Sequence, residues 1–538
     1  MRLLSGLLRL SLLGASLLPL AAQHVLTSHN DAYRTGQNLA ETTLTTANVN
    51  SATFGKLYQV TLDGVVDAQP LYVAGVAIPS QGTHNVLIAA TENDSLYALD
   101  ADTGAQLWKV SLLAAGETAS DDRGCSQVTP QIGITSTPVI TLKSGTTVGA
   151  IFAVAMSKDS SGNYYQRLHE ANLATGKAIG AAVAIAGTYP GTGEDSSGGY
   201  VNFDPKQYKE RSGLLLMDGV VYLAWASHCD DAPYTGWIMG YNATTLTQSS
   251  VIDVTPNGSE GAIWGAGAGL AADSSGYIYF LDANGTFDTT LNAQGFPSQG
   301  DYGNAFIKLS TAGGQLTVAD YFTMYNTTSE SNADDDLGSG GAMVLPNLTD
   351  ANGQVQQLAI GAGKDGNIYL VNRANMGKFS PQNDSAIYQE LDGVLPGGIW
   401  SMPAYFHGRV YFGAVGGPIR AFQFNQAVLT STPASATGTT FPYPGATPSI
   451  SANGTTNGIL WAVQNDSPAV LHAYAAANLA QELYNTGQAA GGRDQFGAGN
   501  KFMVPTIANG KVYVGTPNGV AAFGLLGQPE ARRGTITH

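Results

Sequence analysis

The sequence predicts an all-β protein, an eight-bladed β-propeller closed by an N-terminal strand that completes the C-terminal blade. Two observations carry this expectation: a hairpin pattern that recurs along the chain, and a last copy that lacks its second strand. Composition agrees. Of the 538 residues, 67 are glycine and only 12% are charged, with 25 Tyr, 17 Phe and 6 Trp. Abundant turns and aromatic side chains suit many short strands and leave little material for long exposed helices.

The pattern is clearest in "LYALDADTGAQLWKVSL", from Leu96 to Leu112. Apolar residues alternate at period two, Asp100 to Gly104 supply turn chemistry, and the alternation resumes at Leu107 and Trp108. Gly104 suits the positive φ of a bulged hairpin turn. Related hairpins begin near Arg167, Ile238, Phe306, Ile368, Ile419 and Leu471. Their spacing of roughly 50–70 residues is the scale of a propeller blade with variable loops. Further strand signals lie between them, from Gly219, Gly276, Gly408 and Gly510. Two such strands and one hairpin make a four-stranded sheet. A radial arrangement lets neighbouring sheets cover each other's faces, whereas two stacked sandwiches, the rival, would not explain the period. Trp108 is expected between adjacent blades.

The last start, "VAAFGLLG" from Val520, has no partner strand after it. The N-terminal "GKLYQVTL", Gly55 to Leu62, resembles the outer strand "AQLWKVSL" and is expected to fill that gap. The predicted organisation is a signal peptide over 1–22, a polar lead-in over 23–53, the propeller over 54–527 and a disordered tail over 528–538. Arg2 and Arg9, the apolar run from Leu10 to Leu20 and the small pair Ala21-Ala22 read as a secretory signal. No later run reaches the roughly 18 apolar residues of a membrane span. The net charge of -16 argues against nucleic acid and anionic membranes as partners.

Cys125 and Cys229 are the only cysteines. In an oxidising compartment they could form one disulfide, or remain two isolated thiols. Asn-x-Ser/Thr triplets recur from Asn93 to Asn465, and Asn284 is one of them, which fits a secreted glycoprotein. "SHCDDAPY" places His228 beside Asp230 and Asp231, either a possible second metal or His–carboxylate site or an irregular loop pinned by Cys229. His29, Asn30, Asp31 and Arg34 cap one end of a central channel or form a solvated arm. No Gly-x-Ser-x-Gly, Walker A or dinucleotide glycine fingerprint is present.

The repeat resembles the pyrroloquinoline quinone (PQQ) repeat, "YALDA-x-TG-x-x-x-W", over nearly the whole chain. The chain is similar to the PQQ-type eight-bladed propellers, which include the quinoprotein alcohol dehydrogenases, and closest to secreted PQQ-repeat proteins of mostly unassigned role. "LTTANVNSATFGKLYQV" from Leu44 looks like the family's entry segment, and "KDGNIYLVNR" from Lys364 resembles its Lys-x-Gly-x-x-Tyr-x-Leu-Asp-Arg stretch. The resemblance implies a cofactor site with PQQ and Ca²⁺, acting on a small-molecule substrate. Trp264 would stack under the quinone and Lys364 would reach its oxygens. Asp231, Asn284 and Asp336 would hold Ca²⁺, and Asp336 would be the catalytic base. The chain departs from the pattern in three ways. One cysteine stands where the family's lid has two neighbours, Asp231 replaces a glutamate, and the absence of Cys-x-x-Cys-His excludes covalent c-type haem. Each residue also has a structural alternative. Trp264 could be an inter-blade aromatic, Asn284 a turn residue, the run Asp334–Asp336 a solvated loop, and Lys364 an exposed neighbour of a turn. A non-catalytic propeller binding a glycan, metabolite or protein, or a cofactor-independent enzyme, would use the same pocket.

Overall fold

A computed structural model of the protein describes residues 23–527, so the expected signal peptide and C-terminal tail lie outside the described residues. Eight antiparallel sheets follow one another along the chain, with 43% of residues in strands and 4% in helices. The first blade is built on Leu71–Ile78, Gly82–Ala90, Ser95–Asp100 and Gln106–Ser111, and the seven others follow in chain order. The ring closes as the repeat predicts. Phe54–Thr61 pairs antiparallel with Gly519–Leu525, with Phe54 opposite Leu525 and Thr61 opposite Gly519, and is the outer strand of the last blade.

The turn motif works through one side-chain acceptor. Asp100 Oδ1 accepts the backbone N–H of Asp102 at 3.0 Å and of Thr103 at 2.8 Å, and the Thr103 hydroxyl at 2.9 Å. Asn172 and Asn242 do the same in their hairpins. Such local bonding gives the chain its reversal before any tertiary contact exists. Gly104 adopts φ +79°, and a Cβ there would lie 2.7 Å from the Tyr58 ring of the last blade. Gly176 repeats the arrangement at φ +67°, where a Cβ would lie 2.6 Å from the Trp108 ring. Trp108 also donates its indole N–H to Leu173 O at 3.2 Å, so it bridges the first and second blades as expected. Gly104 and Gly176 are therefore each required twice, for φ and for the aromatic ring that lies against them.

The polar lead-in is not a solvated arm. His29 and Arg34 are fully buried and tie the segment to the inner ends of the blades. Arg34 donates to Leu270 O and Ser28 O, and His29 Nε2 lies 2.9 Å from Pro448 O. Arg373, the arginine of the Lys-x-Gly stretch, forms a buried ion pair with Asp273 of the preceding blade. Among the described residues, no helix is long and apolar enough to cross a membrane.

Several carboxyl groups are buried without a cation. Burial raises Asp253 to about 7, Asp301 to about 6 and Glu330 to about 7, and lifts Asp94, Glu210 and Asp282 well above the ordinary range. The folded state holds these protons after the unfolded chain, with carboxyls near 4, has released them. Their stabilisation is thus complete below about pH 4 and is lost as pH rises through about 7. Asp63, held down to about 2 by Lys109 and neighbouring donors against the opposing effect of burial, acts in the other direction. Its stabilisation is present above about pH 4 and lost in stronger acid. The melting temperature is expected to be higher at pH 5 than at pH 7.5, as differential scanning calorimetry across that range will read. Trp108→Ala is expected to cost about 3–5 kcal/mol in denaturant unfolding, because it empties the joint between two blades.

Candidate active site

A cavity opens at one mouth of the ring. It is lined by Gln127, Arg211, Asp230, Trp264, Ala283, Asn284, Asp336, Ser339, Lys364, Trp400, Tyr443 and Phe502. Most of these residues sit in the loops that lead into the innermost strand of a blade. Arg211 precedes Leu215–Met217, Trp264 precedes Ala271–Ala272, Trp400 precedes Ala404–Phe406 and Phe502 precedes Thr506–Ala508. Several blades thus deliver such a segment to the axis, and residues far apart in sequence meet there.

Close backbone packing holds the acidic segment in place. The short helix Thr327–Ala333 ends at Asp334, which adopts φ +61°, and Asp336 then opens the turn Leu337–Ser339. A Cβ at Gly338 would lie 2.2 Å from Ala283 N, so only glycine lets this turn rest against the strand end that carries Asn284. Lys364 N donates to Asp336 O at 2.9 Å, and Leu337 N donates to Asn304 Oδ1 at 2.7 Å. The Lys364 ammonium lies 2.6 Å from Asp336 Oδ1 and also contacts Asp334. Asn284 donates its amide to Asp334 Oδ1 at 2.7 Å, while its own Oδ1 is buried with no partner among the described residues.

The electrostatics separate the two charged groups. Burial pushes Asp336 up to about 6, against the downward pull of Lys364. Burial works against the Lys364 ammonium, but Asp336 and Asp334 outweigh it and raise its pKa. At neutral pH the site therefore holds a carboxylate, largely ionised, and a permanent ammonium beside it. Trp400 lies under that ammonium at 5.9 Å and meets Tyr443 edge-on, with ring centroids 5.7 Å apart.

Trp264, Asn284, Asp336 and Lys364, singled out in the sequence, all line this cavity. Asp231 does not. It is exposed, its carbonyl accepts the Gln207 amide, and its neighbour Asp230 faces the cavity instead. The reason is local: Cys229 and Asp230 adopt φ +56° and +54°, which turns the loop by one residue relative to an extended reading. At the other candidate site, His228 makes no hydrogen bond or ion pair with a carboxylate among the described residues. His228 is buried and Nδ1 has no partner among the described residues. Burial, with Arg123 and Lys209 nearby, lowers its pKa to about 4. Asp230 instead accepts the Ser227 hydroxyl at 3.0 Å and the Tyr234 hydroxyl at 3.3 Å.

Cys125 and Cys229 form a disulfide across a separation of 104 residues. The bridge joins the loop carrying Gln127 to the loop carrying Asp230, two segments of the cavity wall. A pair of distant cysteines thus stands over the mouth where the single cysteine of "DDRGCSQ" appeared isolated. Sequence reading missed Arg211, Trp400, Tyr443 and Phe502. Their common signal is position just ahead of a blade's first strand, which is visible only once blade boundaries are known.

The chain matches no protein-family model and no curated protein. Its architecture is that of the eight-bladed propellers of quinoprotein alcohol and methanol dehydrogenases. The likeness to a quinohemoprotein alcohol dehydrogenase from Comamonas testosteroni has a TM-score of 0.60 at 14% identity and covers 95% of this chain and 82% of that one. A quinohemoprotein alcohol dehydrogenase from Pseudomonas putida gives 0.60 at 13% identity, over 96% and 82%. A europium-containing methanol dehydrogenase gives 0.58 at 12% identity, over 93% and 98%. At these identities the likeness is one of fold.

Replacing both cysteines by serine is expected to lower stability by about 2–4 kcal/mol, measured by denaturant unfolding of oxidised wild type and variant side by side.

Proposed function

We propose that this chain is a secreted, quinoprotein-like oxidoreductase that acts on a small alcohol or related organic molecule in the axial cavity. The observation that carries the reading is the meeting of Trp264, Asn284, Asp336 and Lys364, from separate loops, around one cavity. The fold shared with quinoprotein alcohol dehydrogenases supports it. The N-terminal signal-like segment, the triplets for N-glycosylation and a disulfide, which persists in oxidising compartments, support secretion.

The residues fit a planar, anionic quinone such as PQQ. Trp264, Trp400, Tyr443 and Phe502 supply aromatic walls, and Lys364 and Arg211 supply positive charge. When bound, such a quinone supplies a two-electron acceptor. The chain itself does the rest. The Asp336 carboxylate accepts the proton of a substrate hydroxyl, a task suited to a group with a pKa near 6. Lys364 holds Asp336 in place and offers a fixed positive charge toward oxygen atoms that gain negative charge. The aromatic walls exclude water and set the plane of the bound ring.

Calcium fits less well. Asn284 Oδ1 and Asp336 are oxygen donors, but Asp231 does not join them, and Lys364 already lies against Asp334 and Asp336. Among the described residues no three His, Cys, Asp or Glu side chains form a group that could hold a metal ion. No step above uses a metal.

Dye-linked oxidation of an alcohol panel by the purified chain with added PQQ, with and without Ca²⁺, tests the reading. Asp336→Asn is expected to lower kcat by about 10²–10⁴-fold. The rate of wild type should rise with pH through about 6, as Asp336 loses its proton, and then level off. Binding of a ligand in the cavity without turnover, unchanged in Asp336→Asn, would replace this reading with that of a non-catalytic binding propeller.

A further inference from the structure

The side of the ring carries a groove that shares no lining residue with the axial cavity. Ile252 and Val318 line it from the outer strands Gln248–Asp253 and Thr317–Phe322 of the third and fourth blades. Its other lining residues come largely from two insertions that the four-stranded plan does not need. One is the hairpin of Thr188–Pro190 and Tyr200–Asn202, a separate two-stranded sheet ahead of the third blade. The other is the connection over 282–305 in the fourth blade. The same connection takes only 91–94 in the first blade and 517–518 in the last. Both insertions are fastened to the segment 256–258. Gly193 N donates to Pro256 O at 2.8 Å, and Thr192 N donates to Asn257 Oδ1 at 3.0 Å. Asn257 N donates to Asp301 Oδ1 at 2.8 Å, and Asn257 Nδ2 donates to Gln299 O at 2.7 Å. The groove is therefore built by hydrogen bonds between its walls.

The lining combines aromatic rings with unused neutral polar groups. Tyr189 and Phe296 are half-buried. Phe296 is held by Tyr321, with ring centroids 5.9 Å apart, and by the Lys378 ammonium, 4.8 Å from its ring centre. The Tyr189 and Tyr302 hydroxyls and the exposed Gln299 carboxamide make no hydrogen bond among the described residues. Asn292, also exposed, uses its Oδ1 to accept the N–H of Gln294 and Phe296, and its Nδ2 stays open. Among the described residues no lysine, arginine or histidine lines the groove, and its one carboxyl group, Asp253, accepts from Thr235 and Thr255. In a chain of net charge -16, such a surface offers an anion nothing. A pyranose ring has a C–H face that packs on aromatic rings and a rim of neutral hydroxyls that donate and accept. Phenols and carboxamides do both as well. We propose that this groove binds a neutral oligosaccharide, with Tyr189 and Phe296 as stacking faces and Asn292 and Gln299 as hydrogen-bonding partners. The site serves attachment to a glycan and stands independently of the chemistry of the axial cavity.

The test is isothermal titration calorimetry of the full chain with cellohexaose, laminarihexaose, xylohexaose, mannohexaose and chitohexaose, and with hexagalacturonate as the anionic control. At least one neutral hexaose is expected to bind, about 10-fold or more tighter than hexagalacturonate. Tyr189→Ala and Gln299→Ala should each weaken that binding by about 10-fold, and Asp336→Asn should leave it unchanged. Gln299→Ala removes an exposed, unbonded side chain, so it reads the site even where an aromatic variant folds poorly. Saturation-transfer NMR on unaltered protein, with the aromatic protons irradiated, should give the strongest transfer to the C–H protons of the sugar face. Failure of every neutral hexaose to bind overturns the proposal and leaves the oxidoreductase reading untouched. Binding that is lost in Asp336→Asn and kept in Tyr189→Ala and Gln299→Ala moves the sugar to the axial cavity and overturns it. Groove-dependent binding of a deca-proline peptide, with no sugar bound, overturns it in favour of a peptide. Sugar binding as expected, without PQQ-dependent turnover, upholds the groove and overturns only the oxidoreductase reading.

Discussion

The pairing of Phe54–Thr61 with Gly519–Leu525 is the constraint on which the rest of the molecule depends. A ring of sheets without it would have two free ends, each exposing a sheet face and an edge. With it, each blade has two neighbours, and the loops ahead of the innermost strands point to a common axis. The cavity is a consequence of closure. Arg211, Trp264, Asp336, Trp400 and Phe502 come from five different loops and share one space only because the circle is complete.

Blade-to-blade packing then fixes the dimensions of that space. Tyr58 against Gly104 and Trp108 against Gly176 place an aromatic ring of one outer strand over the turn of the next blade. The buried Arg373–Asp273 pair adds a polar joint between two blades, and the lead-in through His29 and Arg34 ties the inner ends together. Packing this dense transmits small displacements, so residues far from the mouth contribute to its geometry.

The mouth itself is polarised. On one side Asp336, Lys364, Asp334 and Asn284 form a hydrogen-bonded and ion-paired group, and on the other the Arg211 guanidinium stacks on Phe502. Aromatic rings lie between. The disulfide joins two wall segments that have no sheet to hold them, and so maintains the loops that carry Gln127 and Asp230.

What the sequence by itself determined was everything governed by local chemistry and repetition. Period-two alternation, the Asp100–Gly104 turn chemistry and the incomplete last repeat were legible because each acts within a few residues or recurs. The family resemblance led to Trp264, Asn284, Asp336 and Lys364, and also to Asp231. Tertiary structure alone decided what depends on loop direction. Two consecutive positive-φ residues exchanged Asp231 for Asp230 at the cavity, and His228 is buried with no hydrogen bond to a carboxylate among the described residues. It alone brought Cys125 to Cys229 and placed Arg211 against Phe502, because both outcomes depend on what the loops of other blades place opposite them. Such neighbours are set by closure of the circle, and a stretch of sequence carries no record of which residue will face it across an axis.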